Sequence, residues 1–178
     1  MDLTQNDTHQ TDLHITHLLK AGLHSVTNAK FIALGIPAVL IGQTVGDAPL
    51  SAGFHAPDGE ENGHQYCAAV DLRIAHYNLQ GDNTPMTTQE IYALVSLGSL
   101  RGLCMFFRHP GFDGTPIDWP KHIHLVDAGV KMKPELAAQV HDFRLGFNGL
   151  ASHGRYSFFH CSQYAGAIIH AAYLQANP

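Results

Sequence analysis

The 178-residue chain is short of charge, with Asp, Glu, Lys and Arg together making up only 14% of it. Lys and Arg number 10 against 15 Asp and Glu, which gives a net charge of −5 with histidine neutral, and basic residues nowhere form a run. Nucleic acid and anionic membrane surfaces are therefore not expected partners, because both are held chiefly by clustered cations. Cysteine is scarce as well. Cys67, Cys104 and Cys161 are far apart and form no Cys-x-x-Cys pair, so neither a zinc ribbon nor a thioredoxin-type motif is available. Cys104 sits in the apolar run Leu103-Cys104-Met105-Phe106-Phe107 and is expected to be a buried free thiol. No apolar stretch reaches the roughly 18 residues that a membrane-spanning helix needs, so no span is expected. The first twenty residues are polar and lack the basic start and apolar stretch of a secretory signal.

Histidine is the residue in excess. Fourteen occur, more than Lys and Arg combined, and histidine is both the commonest metal ligand and the side chain that titrates nearest neutrality. Most of the fourteen are expected to be ordinary polar residues. Hydrophobic residues make up 45%, enough for one core without covalent staples. Length and the absence of an internal linker predict a disordered tail over 1–10 and a single domain over 11–178.

Periodicity supplies the elements. Leu13, Ile15, Leu18, Leu19 and Leu23 recur at helical spacing, and 36–50 reads as a short strand plus loop. Residues 55–64 (HAPDGEENGH) are loop by composition. In 68–74, Val70, Leu72 and Ile74 alternate with Ala69, Asp71 and Arg73, predicting a half-buried strand in which Arg73 pairs with Asp71. Residues 80–86 predict a turn, and Thr87 with Glu90 a capping box that opens a helix reaching about Leu100. An apolar strand at 102–108, a Pro- and Gly-rich loop at 109–121 and a second strand at His122–Val126 follow. Pro134 begins a helix that turns Leu136, Val140 and Phe143 inward and ends at Gly146, and Ser162 caps a last helix. Helices mixed with a few strands, without a βαβ rhythm, predict an α+β domain on a mostly antiparallel sheet.

Two local features carry chemistry. In Gly63-His64-Gln65-Tyr66-Cys67-Ala68-Ala69-Val70-Asp71, a strand aspartate follows small Ala69, and His64 ends a glycine-containing loop that could fold back over it. In His122-Ile123-His124-Leu125-Val126, alternation places both imidazoles on one strand face, about 6–7 Å apart at Cα. Two histidines and one carboxylate, leaving a fourth position for water, make the catalytic zinc pattern. Each pairing alone is expected about once by chance in so histidine-rich a chain, so the weight rests on their strand contexts.

The segment GHQYCAAVDLRI resembles the H-x-x-G-x-A-x-D signature of the zinc D-alanyl-D-alanine peptidases, which share a fold with lysostaphin-type peptidases and the hedgehog signalling domain. HIHLV is similar to their downstream His-x-His strand, and Ser51-Ala52-Gly53-Phe54-His55 resembles the S-x-G-Y-R strand before the signature. The resemblance implies zinc held by His64, Asp71 and His124, with His122 as a catalytic histidine beside it. It implies hydrolysis of a peptide bond, in a bacterial cell-wall stem or crosslink peptide of the D-Ala-D-Ala type, and hence an extracytoplasmic site of action. The alternative is a hedgehog-like binding module that keeps the metal without turnover.

Three positions depart from the pattern. Cys67 stands where the family has Gly. His55 stands where the peptidases carry a substrate-polarising Arg, so it is the expected second group against the oxyanion. Lys121 stands where many members place a carboxylate, leaving His122 or Asp118 as base. Tyr66 and Trp119 flank the two motifs and are expected to line the substrate cleft.

Overall fold

The computed structural model describes residues 22–46, 53–77 and 83–178. The expected N-terminal tail and nearly all of the expected first helix lie outside the described residues, as do Ser51 and Ala52. The described elements run α1 (Ser25–Leu34), a 3-10 turn (Ala38–Leu40), β1 (Ile41–Gln43), β2 (Gly59–Glu61), β3 (His64–Tyr66), β4 (Ala69–Leu72), β5 (Ala75–Tyr77), β6 (Asn83–Pro85), α2 (Thr88–Ser99), β7 (Leu103–Arg108), β8 (His122–Asp127), α3 (Pro134–Leu145) and α4 (Gln163–Ala176). Four antiparallel strands in the order β1-β4-β8-β7 make the central sheet, while β2-β3 and β5-β6 form separate ribbons. The fold is α+β on an antiparallel sheet. Among the described residues no helix is long and apolar enough to cross a membrane.

Register decides which side chains meet. Asp71 pairs with His124 across β4 and β8, while Phe106 pairs with His124 and Arg108 with His122 across β7 and β8. Cross-strand partners share a face and neighbours along a strand alternate. Asp71, Phe106, Arg108, His122 and His124 therefore stand on one face, and Leu72, Met105, Ile123 and Leu125 on the other. The second face is sealed by α2, which packs on β7 and buries Ile91 and Val95. The first face is covered at one end by α3, where the Phe143 ring meets Phe106 edge-on at 5.3 Å. Beyond that cover the face opens into a cavity. Cover on both faces buries Ala69, Val70 and Leu72 of β4, where alternation alone predicts one buried side, and only Asp71 at the cavity stays partly exposed.

The helix ends follow their capping chemistry. Pro134 opens α3 and Gly146 ends it in the left-handed conformation, φ 81°, and the Ser162 hydroxyl accepts from Ala165 N at the start of α4. At β7, the outer strand of the sheet, Tyr156 satisfies the free edge: its hydroxyl accepts from Phe107 N at 2.7 Å and donates to Met105 O at 3.2 Å. Helix α1 has no counterpart in the periodicity. Its buried face combines Phe31, which enters the core, with Thr27 and Asn28, and Thr27 Oγ1 donates to buried Asp127, which also accepts from Lys30 Nζ. Residues 55–64 depart from the loop expectation. Asn62 and Gly63, at φ 53° and 78°, make the two-residue turn that pairs β2 with β3. Residues 83–85 likewise form a strand where a turn is expected.

The capping box of α2 yields a pH-dependent prediction. The backbone N–H of Thr87, then its hydroxyl and His76, hold the Glu90 carboxyl down at about 2, against 4.5 for the free group. A depressed folded-state value stabilises above the unfolded value and is lost as pH falls through the folded one. Glu90→Gln should therefore lower the urea midpoint at pH 7, with the gap to the parent closing as pH falls from about 4.5 toward 2. A gap of equal size at pH 7 and pH 3 would show that the charge of Glu90 contributes nothing. Thr87→Ala should cost about 1 kcal/mol at neutral pH.

Candidate metal centre

The sheet register places Asp71 against His124, with His124 Nδ1 2.9 Å from Asp71 Oδ1. The turn at 53–56 delivers His55 from the side, its Nε2 3.4 Å from Asp71 Oδ2. The two imidazole rings stand 5.5 Å apart and nearly perpendicular. One donor atom from each of the three residues lies within 4.8 Å of the others, and the group could hold a metal ion. His55 and His124 are buried, whereas the Asp71 side chain keeps 22% of its surface exposed and meets the cavity.

The hydrogen bonds behind these residues fix a proton on the outer nitrogen of each imidazole. A backbone carbonyl can only accept, so the Gly149 oxygen fixes the Gln139 amide: Nε2 donates to it at 3.0 Å. The Gln139 carbonyl oxygen must then face His124 Nε2, 2.9 Å away, and that nitrogen carries the hydrogen. Burial pushes the His124 imidazole below its ordinary value against the pull of Asp71, and Nδ1 is the nitrogen that faces the carboxylate. His55 is arranged alike: Nδ1 donates to the Thr44 carbonyl at 2.9 Å, turning Nε2 toward Asp71. Burial opposes the Asp71 charge, yet the imidazoles of His124 and His55 at its two oxygens outweigh burial and hold it well below the usual carboxylate range. These bonds leave His124 Nδ1 and His55 Nε2 facing the carboxylate: carrying protons they hydrogen-bond it, and without them they offer two lone pairs to a metal. A cation can take the place of those protons, and a backing hydrogen bond on each distal nitrogen is the usual support of a metal-binding histidine.

Ligand atoms about 2.1 Å from a tetrahedral ion lie about 3.4 Å from one another; here His124 Nδ1 is 2.9 Å from Asp71 Oδ1, His55 Nε2 is 3.4 Å from Asp71 Oδ2, and one donor atom per residue lies within 4.8 Å of the others.

His122 adjoins the group. Pro120 O accepts its Nδ1–H at 2.7 Å, which leaves Nε2 as the acceptor, 3.9 Å from Asp71 Oδ1. A cavity of about 580 Å³ opens over these residues, within the range of small-ligand sites. His55, Asp71, His122 and His124 line it together with Trp119 and Arg108. Burial pushes the Arg108 guanidinium down to about 10, so it remains cationic at neutral pH.

The remaining candidates lie elsewhere. His64 is exposed at the start of β3, paired with Glu61 across the tight turn, and it is not part of the group. The hairpin explains this, because a closed ribbon cannot fold its tip back over β4. His55, expected against the substrate, takes the place expected of His64. Tyr66 is buried and packs edge-on against His24 at 4.7 Å, away from the cavity. Asp118 is exposed on the 109–121 loop and does not line the cavity, whereas Trp119 beside it does. Arg73 also lines the cavity, and the ion-pair partners of Asp71 are His55, His122 and His124. Gln139 had no signal in the sequence beyond its place one turn before Phe143.

The segment carrying His55 is clamped from below. Buried Asp58 accepts from Ala68 N at 2.7 Å and Lys133 N at 2.8 Å, and Lys133 Nζ donates to Ala56 O at 2.6 Å. Comparison with known proteins finds no matching family model, no matching curated protein and no matching solved structure.

The tautomer chain predicts a metal effect at a residue that touches no metal. Gln139→Leu should weaken divalent-metal affinity about 10- to 100-fold in a chelator-competition titration, with the helical circular dichroism unchanged. Unchanged affinity would mean that the orientation of His124 does not depend on Gln139.

Proposed function

We propose that the chain is a zinc-dependent peptidase of the D-alanyl-D-alanine carboxypeptidase or endopeptidase kind, with a hedgehog/DD-peptidase-like domain, whose ligands are His55, Asp71 and His124. One observation carries the reading: two imidazoles, each backed at its outer nitrogen, and a carboxylate bring one donor atom apiece within 4.8 Å of one another in the wall of a ligand-sized cavity. Two histidines and one carboxylate suit zinc, and they leave room for a fourth, exchangeable position. The set keeps the histidine, aspartate, histidine order of the peptidase ligands, although fifteen residues separate His55 from Asp71 where six separate His64 from it. Zinc bound there supplies Lewis acidity toward an amide carbonyl and acidifies water.

The protein's own groups do the rest. His122 is pinned at Nδ1 by Pro120 O and offers Nε2 as the base. It takes a proton from the attacking water as the oxygen joins the carbonyl carbon, and returns it to nitrogen as the C–N bond breaks. Asp118, being outside the cavity, has no part in this step. The substrate is a short peptide, such as a peptidoglycan stem peptide, which would place the enzyme outside the cytoplasm.

Metal analysis of purified variants tests the ligand set. His55→Ala, Asp71→Ala and His124→Ala should lose zinc, while His64→Ala keeps it; the reverse outcome for the two histidines would refute this assignment. With zinc retained, His122→Gln should lower kcat on stem peptides about 10²- to 10⁴-fold. Zinc retention in the parent protein without release of any product would favour the hedgehog-like binding reading instead.

A further inference from the structure

The cavity wall holds a cation that the metal reading does not use. Arg108 ends β7 opposite His122, only 2% exposed, on the sheet face that carries the metal group. A guanidinium has five N–H donors, and a buried charge ordinarily requires an anion and hydrogen bonds to match. Arg108 has little of either. Nη1 donates to Asn148 O at 2.6 Å and the group lies over the Phe106 ring, 4.8 Å from its centroid. Its Nε–H is buried with no acceptor, and no carboxylate lies within ion-pair distance among the described residues. The surroundings share this bias. Among the described residues Arg73, Arg108 and Lys121 line the cavity, against Asp71 alone of the acidic ones. Once Asp71 is committed to a metal, the cavity of a net-acidic protein is left cationic.

We propose that Arg108 is the carboxylate receptor of this cavity, and that the ligand is a peptide held by its free C-terminal carboxylate. The inference rests on the peptidase reading for the nature of the ligand. It narrows that reading from peptidase to carboxypeptidase, because a carboxylate seated on Arg108 sets the terminal amide, rather than an internal one, beside the metal group. A planar guanidinium fork matches a carboxylate in a way that a backbone carbonyl cannot. Within the fold, the receptor is rigid: Asn148 O and Gly149 O, adjacent carbonyls of one loop, hold Arg108 and Gln139 respectively.

The chain's single tryptophan, Trp119, lines the same cavity and reports occupancy by its emission. N-acetyl-dialanine of each configuration and the matching C-terminal amides are titrated into zinc-loaded and metal-free protein, with heat and emission read at mixing. The free acid of one configuration should bind about 10- to 100-fold more tightly than its amide. This preference should vanish in Arg108→Gln and be only partly kept in Arg108→Lys, which retains the charge without the fork. Equal binding of acid and amide by the parent protein would overturn the proposal without requiring any variant to fold. A preference that survives in Arg108→Gln would overturn it as well. Failure of the metal reading shows separately, as a parent protein that retains no zinc while the metal-free acid preference still depends on Arg108.

Discussion

The pairing of Asp71 with His124 across β4 and β8 is the constraint on which the site depends. A one-residue slip of β8 would carry His122 and His124 to the face sealed by α2 and bring Ile123 and Leu125 to the cavity. The apolar alternation of β8 forbids that slip, since Ile123, Leu125 and the partners Met105 and Leu72 are all but fully buried on the far face. Hydrophobic burial thus sets the register, and the register sets the distance between a carboxylate and an imidazole. The site is specified by residues that never touch it.

Orientation is imposed from outside the sheet. One loop after α3 supplies two successive carbonyls, at Asn148 and Gly149, and each fixes a different part of the cavity. Gly149 O fixes Gln139 and through it the tautomer of His124; Asn148 O holds Arg108. The loop is itself anchored by buried Asn148, whose side-chain amide donates to Asp113 O and accepts from Leu150 N. Gly149 takes φ 65° and presses on Phe106, where an added Cβ would come within 2.8 Å of the ring. The metal group and the guanidinium are therefore coupled mechanically although they share no hydrogen bond.

What was legible in the sequence was what period and caps encode. The four-stranded core, the capping box at Thr87, Pro134 and Gly146 bounding α3, and the sharing of one strand face by His122 and His124 follow from local rules. Asp71 and His124 could be read from their strands. The choice between His55 and His64 could not be made from composition, since both flank the same turn-rich stretch. The deciding signal was Asn62-Gly63, a hairpin turn that closes β2 on β3 and leaves His64 at the exposed end. Helix α1 was hidden for a different reason: beside Phe31 its buried face is made of Thr27 and Asn28, with Thr27 and Lys30 bonded to Asp127, so hydrophobic periodicity barely registers it. Gln139 and Arg108 were invisible because their roles depend on loop carbonyls 10 and 40 residues away, contacts that no local pattern reports.

The bonds that orient the site also keep its inward nitrogens where they are. Gln139 and Thr44 hold the outer nitrogens of His124 and His55, so neither ring can turn from Asp71 without stranding a buried polar group, which is destabilising. Hydrogen bonds from the two rings satisfy the carboxylate and hold it well below the usual carboxylate range despite its burial. The two rings are fixed by different means: His124 sits on a central strand beneath α3, whereas His55 sits on a turn that Asp58 and Lys133 clamp. A cation entering such a site would have to displace the protons that face Asp71, so its affinity would rise with pH.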